Sequence, residues 1–190
     1  MVLRELADWL EKERKKEHGN HPRHGHIAFV KSGETVKTQK PTKASILDGS
    51  RDWKMEVDLD RRLVFPNVVQ TTLRPDIVLW SETGKKLVTI ELTVPWEARC
   101  EETYERKKAK YTELIDLCKQ QGWRTWLFPV EVGVRGFCSQ SVHRLMTALG
   151  TTGMERRVSI QRLSQAAERA SSWPWLRREE KSWRQSTNTQ

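Results

Sequence analysis

Apolar residues recur along this chain with two different periods, and each change of period marks an element. Leu3, Leu6, Trp9 and Leu10 fall at helical spacing with charges between them, which predicts an amphipathic helix over residues 2–17. Residues 18–26 (HGNHPRHGH) read as a loop, 27–31 as a short strand, and 32–52 as a long polar connection broken by Gly33, Pro41 and Gly49. The period then drops to two. Trp53, Met55, Val57 and Leu59 alternate with polar residues, as in a half-buried strand. Leu63-Val64-Phe65 is a brief apolar run closed by Pro66. Residues 76–80 follow Pro75 as a compact strand, 81–84 make a turn, and 87–94 (LVTIELTV) form the next strand.

Helical patterning returns at Pro95-Trp96-Glu97 and runs to about residue 121, with Gly122 as its stop signal. A strand is predicted over 123–134 and a helix over 139–149, ended by Gly150. Residues 154–182 read as one or two basic helices interrupted at Pro174, and residues 184–190 as a polar, disordered tail. The order helix, strands, helix, strand, helix implies an α/β fold with a mixed sheet flanked by helices. At 190 residues and 36% hydrophobic content the chain can fill one core and hardly two. The expected organisation is a single domain over 1–153, a basic helical extension over 154–183 packed on or beside it, and the tail.

Charge narrows the partners. Lys and Arg number 34 against 25 Asp and Glu, a net charge of +9, which points to a polyanion and first to nucleic acid. Cys100, Cys118 and Cys138 are odd in number and show no CxxC spacing, so neither a zinc ribbon nor a disulfide framework is implied. Reduced thiols fit a nuclear or cytoplasmic location. No apolar run approaches membrane-spanning length, so no membrane partner is expected. Four histidines at 18, 21, 24 and 26 invite zinc, but no cysteine or acid completes a recognisable spacing. A polar loop that brushes phosphate is the better reading.

The segment with chemistry is Arg74-Pro75-Asp76-Ile77-Val78, followed by Ile90-Glu91-Leu92-Thr93. It puts two acids fifteen positions apart across a strand, a turn and a strand. A carboxylate set among core strand residues must be paired, hydrogen-bonded or metal-bound, because burying a lone charge is costly. Two such groups converging suit a hard dication, which takes oxygen ligands and keeps several waters. The alternatives are a turn cap at Asp76 and a solvent-facing Glu91 on a one-sided sheet. Cleavage of a phosphodiester also benefits from a cation near the developing charge. Thr93, not lysine, stands two residues beyond Glu91. The next helix offers Lys107, Lys108 and Lys110 around an apolar stripe through Tyr104, Tyr111, Leu114, Ile115 and Cys118. Lys107 lies about 40° from Tyr111 on a helical wheel, Lys110 further round on the same side, and Lys108 on the other edge. Snorkelling at the helix border is the rival role for each.

Arg74-Pro75-Asp76, then ELTVPWE from Glu91 to Glu97, then Lys107-x-x-Lys110-Tyr111, resembles the restriction-like endonuclease domain of site-specific non-LTR retrotransposons. That domain is a branch of the PD-(D/E)XK nuclease superfamily. The similarity is greatest to stand-alone transposon-derived copies, and it spans the chain from the first helix to about Trp183. The resemblance implies a restriction-endonuclease-like αβββαβ core, a Mg2+ or Mn2+ cofactor and nicking of one strand of target DNA. Asp76 and Glu91 would be the metal ligands and catalytic acids. Lys107 or Lys110 would replace the lysine of the usual E-x-K, and Thr93, Glu97 and Tyr111 would stand behind them. The reverse transcriptase and zinc knuckle that accompany the domain in full elements are not in this sequence. A catalytically inactive nuclease-fold module that binds nucleic acid is therefore the alternative function, and a protein-interaction domain with incidental basicity is a third.

Other polar groups have less to say. Glu5, Asp8 and Glu11 fit a solvated helix face. Glu56, Asp58 and Asp60 alternate with the apolar side of their strand, so they face solvent or a neighbouring helix. Glu97 suits a helix start. Candidate DNA contacts are Arg74, Lys108, Arg156, Arg157, Arg177 and Arg178, which would hold phosphate without reading sequence. The oligomeric state is open, a homodimer included.

Overall fold

The computed structural model describes residues 1–16, 45–60 and 62–177, the last four by their backbone alone. The elements are α1 (Val2–Lys15), β1 (Lys54–Val57), β2 (Ile77–Ser81), β3 (Lys86–Thr93), a 3-10 turn (Glu97–Arg99), α2 (Cys100–Gln120), β4 (Arg124–Glu131), α3 (Gln140–Ala148) and α4 (Gly153–Arg177). The predicted strand over 27–31, the histidine loop and residues 184–190 lie outside the described residues.

The four strands form one mixed sheet in the order β1-β2-β3-β4. β1, β2 and β3 meander antiparallel, whereas β4 runs parallel to β3. A parallel neighbour cannot be reached through a tight turn, and α2 supplies the crossover. Pro129 sits in β4, an edge strand among the described residues, where a missing N–H is tolerated.

Alternation along the strands sorts side chains between two covers. Ile77, Leu79, Val88, Ile90, Val130 and Val132 point to one face, where Leu6 and Leu10 of α1, Val142 and Leu145 of α3, and Leu163, Ala166 and Ala167 of α4 pack on them. Val78 and Leu87 point to the other face, under Tyr111, Leu114 and Cys118 of α2. Because α4 shares the first core with the sheet, no separate core marks a boundary at 153 among the described residues.

The structure differs from the pattern-based reading in four places. The helix expected from Pro95 begins later: Trp96 is extended, Glu97–Arg99 make a 3-10 turn, and the α-helix starts at Cys100. The cause is continued pairing beyond β3, since Val132 N–H donates to the Thr93 carbonyl and Val134 N–H to that of Pro95. α4 is one helix and continues past Pro174. Leu63 and Phe65 alternate inward under α2 without pairing as a strand, leaving Val64 exposed. Finally, the end of the long connection docks on the core. Leu47 is fully buried, Ile46 N–H donates to the Ala148 carbonyl, and the ammonium of Lys86 binds the carbonyls of Ile46 and Asp48.

α3 ends in a Schellman arrangement, with Thr151 N–H donating to Met146 and Gly150 N–H to Thr147. Gly150 has φ +80°, and a Cβ there would stand 3.2 Å from Ser45 Cβ. Gly150→Ala is expected to destabilise the fold by about 1–2 kcal/mol, read as a lower urea midpoint at unchanged slope. No helix among the described residues is long and apolar enough to cross a membrane.

Candidate active site

The register places the two acids together. Ile77 pairs with Ile90 across β2 and β3, so the next pair outward is Asp76 opposite Glu91. Both side chains point to the α2 face, one step out of phase with the aliphatic residues of the other core. Solvent exposure of Glu91 is ruled out, since the residue is only 4% accessible. Asp76 does not cap a turn either. Its Oδ2 accepts a hydrogen bond of 2.7 Å from Leu92 N–H, which ties the start of β2 to the far end of β3.

α2 crosses this face and brings its own polar groups. Lys107 forms an ion pair with Glu91 Oε1. Lys110 Nζ lies 3.8 Å from the same oxygen and donates to the Tyr111 hydroxyl at 2.9 Å. The Tyr111 hydroxyl is 2.8 Å from Glu91 Oε2 and 2.9 Å from the Arg74 carbonyl, and its one proton serves these two acceptors. Tyr111 thereby joins the loop before β2, the middle of β3 and the helix above them. Both candidate lysines reach Glu91. Lys107 makes the direct contact and is the less exposed, at 20% against 43% for the side chain of Lys110.

Burial pushes the Asp76 carboxyl up to about 6, with the facing charge of Glu91 as the second cause. The Leu92 N–H and the Lys107 ammonium pull the other way but do not cancel it. Tyr111 is held above its ordinary range by burial and by its hydrogen bond to Glu91, so the phenol stays neutral. Asp76 and Glu91 thus face one another as two partly desolvated acids in one notch.

Asp76 and Glu91 are carboxylates, the kind of ligand the implied cation takes; no hydrogen bond engages Asp76 Oδ1 among the described residues, whereas both oxygens of Glu91 already have partners in Lys107 and Tyr111. Magnesium is often held by one or two carboxylates, with water completing its shell. Among the described residues no group of three or more His, Cys, Asp or Glu side chains is arranged around a common point for a metal. The set therefore stops at two acids.

Other candidates fall in different places. Lys108 turns away from the notch and pairs with Glu105 at 3.6 Å. Glu97, expected behind the site, instead accepts from Arg135 N–H at 2.9 Å and from its guanidinium at 3.1 Å, and so holds the 133–135 loop. Thr93 shares the α2 face with Glu91, but its buried hydroxyl has no hydrogen-bond partner among the described residues. Arg156 binds His143 and Thr147 of α3, and with Arg157 it belongs to a helix that covers the opposite face of the sheet from Glu91. Those two arginines are therefore remote from the notch. Arg177 is described by backbone alone, Arg178 lies outside the described residues, and the Arg74 side chain is exposed.

Two further acids belong to this face: Asp58, whose place in its strand had suggested solvent or a neighbouring helix, and Glu131, which the sequence did not single out. Asp58 stands opposite Asp76, one step beyond the Val57–Ile77 pair, and its N–H donates to the Asp76 carbonyl at 2.7 Å. Its charge adds to the field on Asp76, while its Oδ1 accepts from Leu63 N–H. Glu131 pairs with Thr93 across β3 and β4 and is 1% exposed. One of its oxygens takes the Ser141 hydroxyl at 2.6 Å, the other has no hydrogen-bond partner among the described residues, and burial pushes its carboxyl up. The signal for Glu131 was the one used for Glu91, a lone acid inside an apolar strand run. Compared with protein-family models, curated proteins and solved structures, the chain returns no match.

Proposed function

We propose that this chain is a divalent-cation-dependent DNA endonuclease with a restriction-endonuclease-like αβββαβ core. The single observation that carries the reading is the pairing of Asp76 with Glu91 on neighbouring strands beneath the Lys107 ammonium. The element order α1, β1-β2-β3 antiparallel, α2 and β4 parallel to β3 supports the fold part of the proposal. The net charge of +9 supports a polyanionic substrate.

Asp76 and Glu91 would hold Mg2+ or Mn2+, which when bound polarises a phosphodiester and lowers the pKa of a coordinated water. Asp76 contributes an oxygen whose position is fixed by Leu92 N–H. Tyr111 restrains one oxygen of Glu91 and keeps that carboxylate from rotating. Lys107 presents its ammonium at the same edge, where it can neutralise charge building on the phosphoryl oxygens, and Lys110 adds a more exposed positive charge. Tyr111 cannot serve as a base at neutral pH, because its proton is held tightly.

The second reading, an inactive nucleic-acid-binding module, is favoured by one observation. Lys107 already neutralises Glu91, and Thr93 occupies the position where lysine would free that acid for metal. A plasmid-nicking assay separates the two. Under the first reading supercoiled DNA is relaxed in Mg2+ or Mn2+ and not in EDTA, and either cation raises the melting temperature of the parent protein but not of Asp76→Asn. Salt-sensitive DNA binding without nicking in any divalent cation would leave only the second.

A further inference from the structure

Beyond the notch, the α2 edge carries an exposed aromatic residue that no packing requirement explains. Trp96 is 63% exposed at the C-terminal end of β3. It borders two concavities. One, of about 230 Å3, is lined by Val94, Arg99, Glu102, Thr103 and Arg106; the other, of about 620 Å3, by Val134, Arg135, Glu168 and Ser171. Arg99 and Arg106 are exposed and make no ion pair among the described residues, so their charge is available to a ligand. Past Lys107, further along α2, a third groove of about 660 Å3 runs between Lys110, Glu113 and residues 70–73.

Thr103, Arg106, Lys107 and Lys110 follow one another along α2 at about 1.5 Å per residue. The two grooves thus flank the Glu91–Lys107 pair from opposite sides. From Glu91 to Trp96 is five residues of mostly extended chain, roughly 16 Å or a few nucleotides of a DNA strand. An aromatic face beside exposed arginines is the chemistry that binds unpaired bases, with stacking on the ring and phosphate on the guanidinium. An intact duplex keeps its bases stacked on each other and has none to offer the ring.

We infer that Trp96 is a stacking platform for an unpaired base a few nucleotides from the cleaved phosphate, so that the preferred substrate is DNA locally opened rather than fully paired. The inference rests on the endonuclease reading for the position of the strand, yet it is tested by binding alone.

The experiment measures fluorescence anisotropy of the full chain in EDTA with two labelled duplexes of equal length, one fully paired and one with a three-nucleotide bubble. The parent protein should bind the bubble about tenfold more tightly. Trp96→Ala should erase that preference while leaving the paired duplex within about twofold, and Trp96→Phe should retain most of it. Trp96 is exposed, and an unchanged melting temperature verifies that each variant folds. No bubble preference in the parent, or a preference that survives Trp96→Ala, overturns the platform. So does loss of self-association in Trp96→Ala with DNA binding unchanged, which would assign the indole to a second copy of the chain. Nicking without bubble preference defeats the platform alone. Trp96-dependent bubble binding without nicking in any cation supports the platform and defeats the endonuclease reading alone.

Discussion

Asp76→Asn is expected to abolish nicking and, in EDTA at pH 8, to raise the melting temperature. The loss follows from the role proposed for Asp76. A metal ligand contributes several kcal/mol to the transition state, so its removal should lower the rate about a thousandfold or more. The gain in stability follows from the electrostatics of the folded state. The carboxyl has a folded-state pKa of about 6 against an ordinary 3.8, so between those values the folded chain binds more protons than the unfolded one. Ionised Asp76 therefore opposes folding above pH 6, by on the order of 3 kcal/mol. Asparagine removes that cost and still accepts from Leu92 N–H. For a chain of this length the gain corresponds to roughly 6–12 °C. It should shrink as pH falls through 6 and vanish only at about 3 and below, where Asp76 is protonated in both states. Thermal denaturation from about pH 3 to 8, run beside the nicking assay, reads both effects. A variant that nicks like the parent sinks the site; a variant destabilised at pH 8 shows Asp76 to be a structural cap.

Lys107→Met should have the next largest effect, and it separates the two lysines. Lys107 stands on Glu91 Oε1, whereas Lys110 is 3.8 Å away and more exposed. Removing the nearer ammonium should slow nicking about a hundredfold. It should also destabilise the protein by about 2 kcal/mol, because a buried carboxylate loses its counter-ion while keeping the Tyr111 hydroxyl. Lys110→Met should cost less than tenfold in rate and under about 1 kcal/mol in stability, as expected for a half-exposed pair. Adding Glu91→Gln to Lys107→Met should restore stability without restoring activity, since the uncompensated charge is gone and the proposed metal ligand with it. If Lys110→Met proves the more damaging, the assignment of the two lysines is reversed.

How far the sequence reaches is visible residue by residue. Alternation from Trp53 to Leu59 and the run 87–94 marked strands within one or two residues of β1 and β3. The same periodicity assigned Asp76 and Glu91 to neighbouring strands. It could not place Asp58 beside them, because that needs the β1–β2 register, a pairing between residues far apart in the chain. Helical spacing put Lys107 and Lys110 near the buried stripe of α2 but left open which reaches Glu91. That outcome depends on how α2 crosses the sheet. Glu97 was read as a helix-start acid beside the site, and the 133–135 loop claims it instead. Leu47 looked like part of a polar connection because its anchors, the Ala148 carbonyl and the Lys86 ammonium, belong to other elements.

The amino-acid sequence by itself determined the kinds and order of the described elements and the inward stripes of α1, β1 and α2, because those follow from sterics and from the period at which apolar side chains recur. Tertiary structure decided the rest: the row Asp58, Asp76 and Glu91, the ammonium that meets it, and the merging of α4 into the main core. Cross-strand register and helix docking are set by contacts between distant residues, whose energies no local stretch of chain contains.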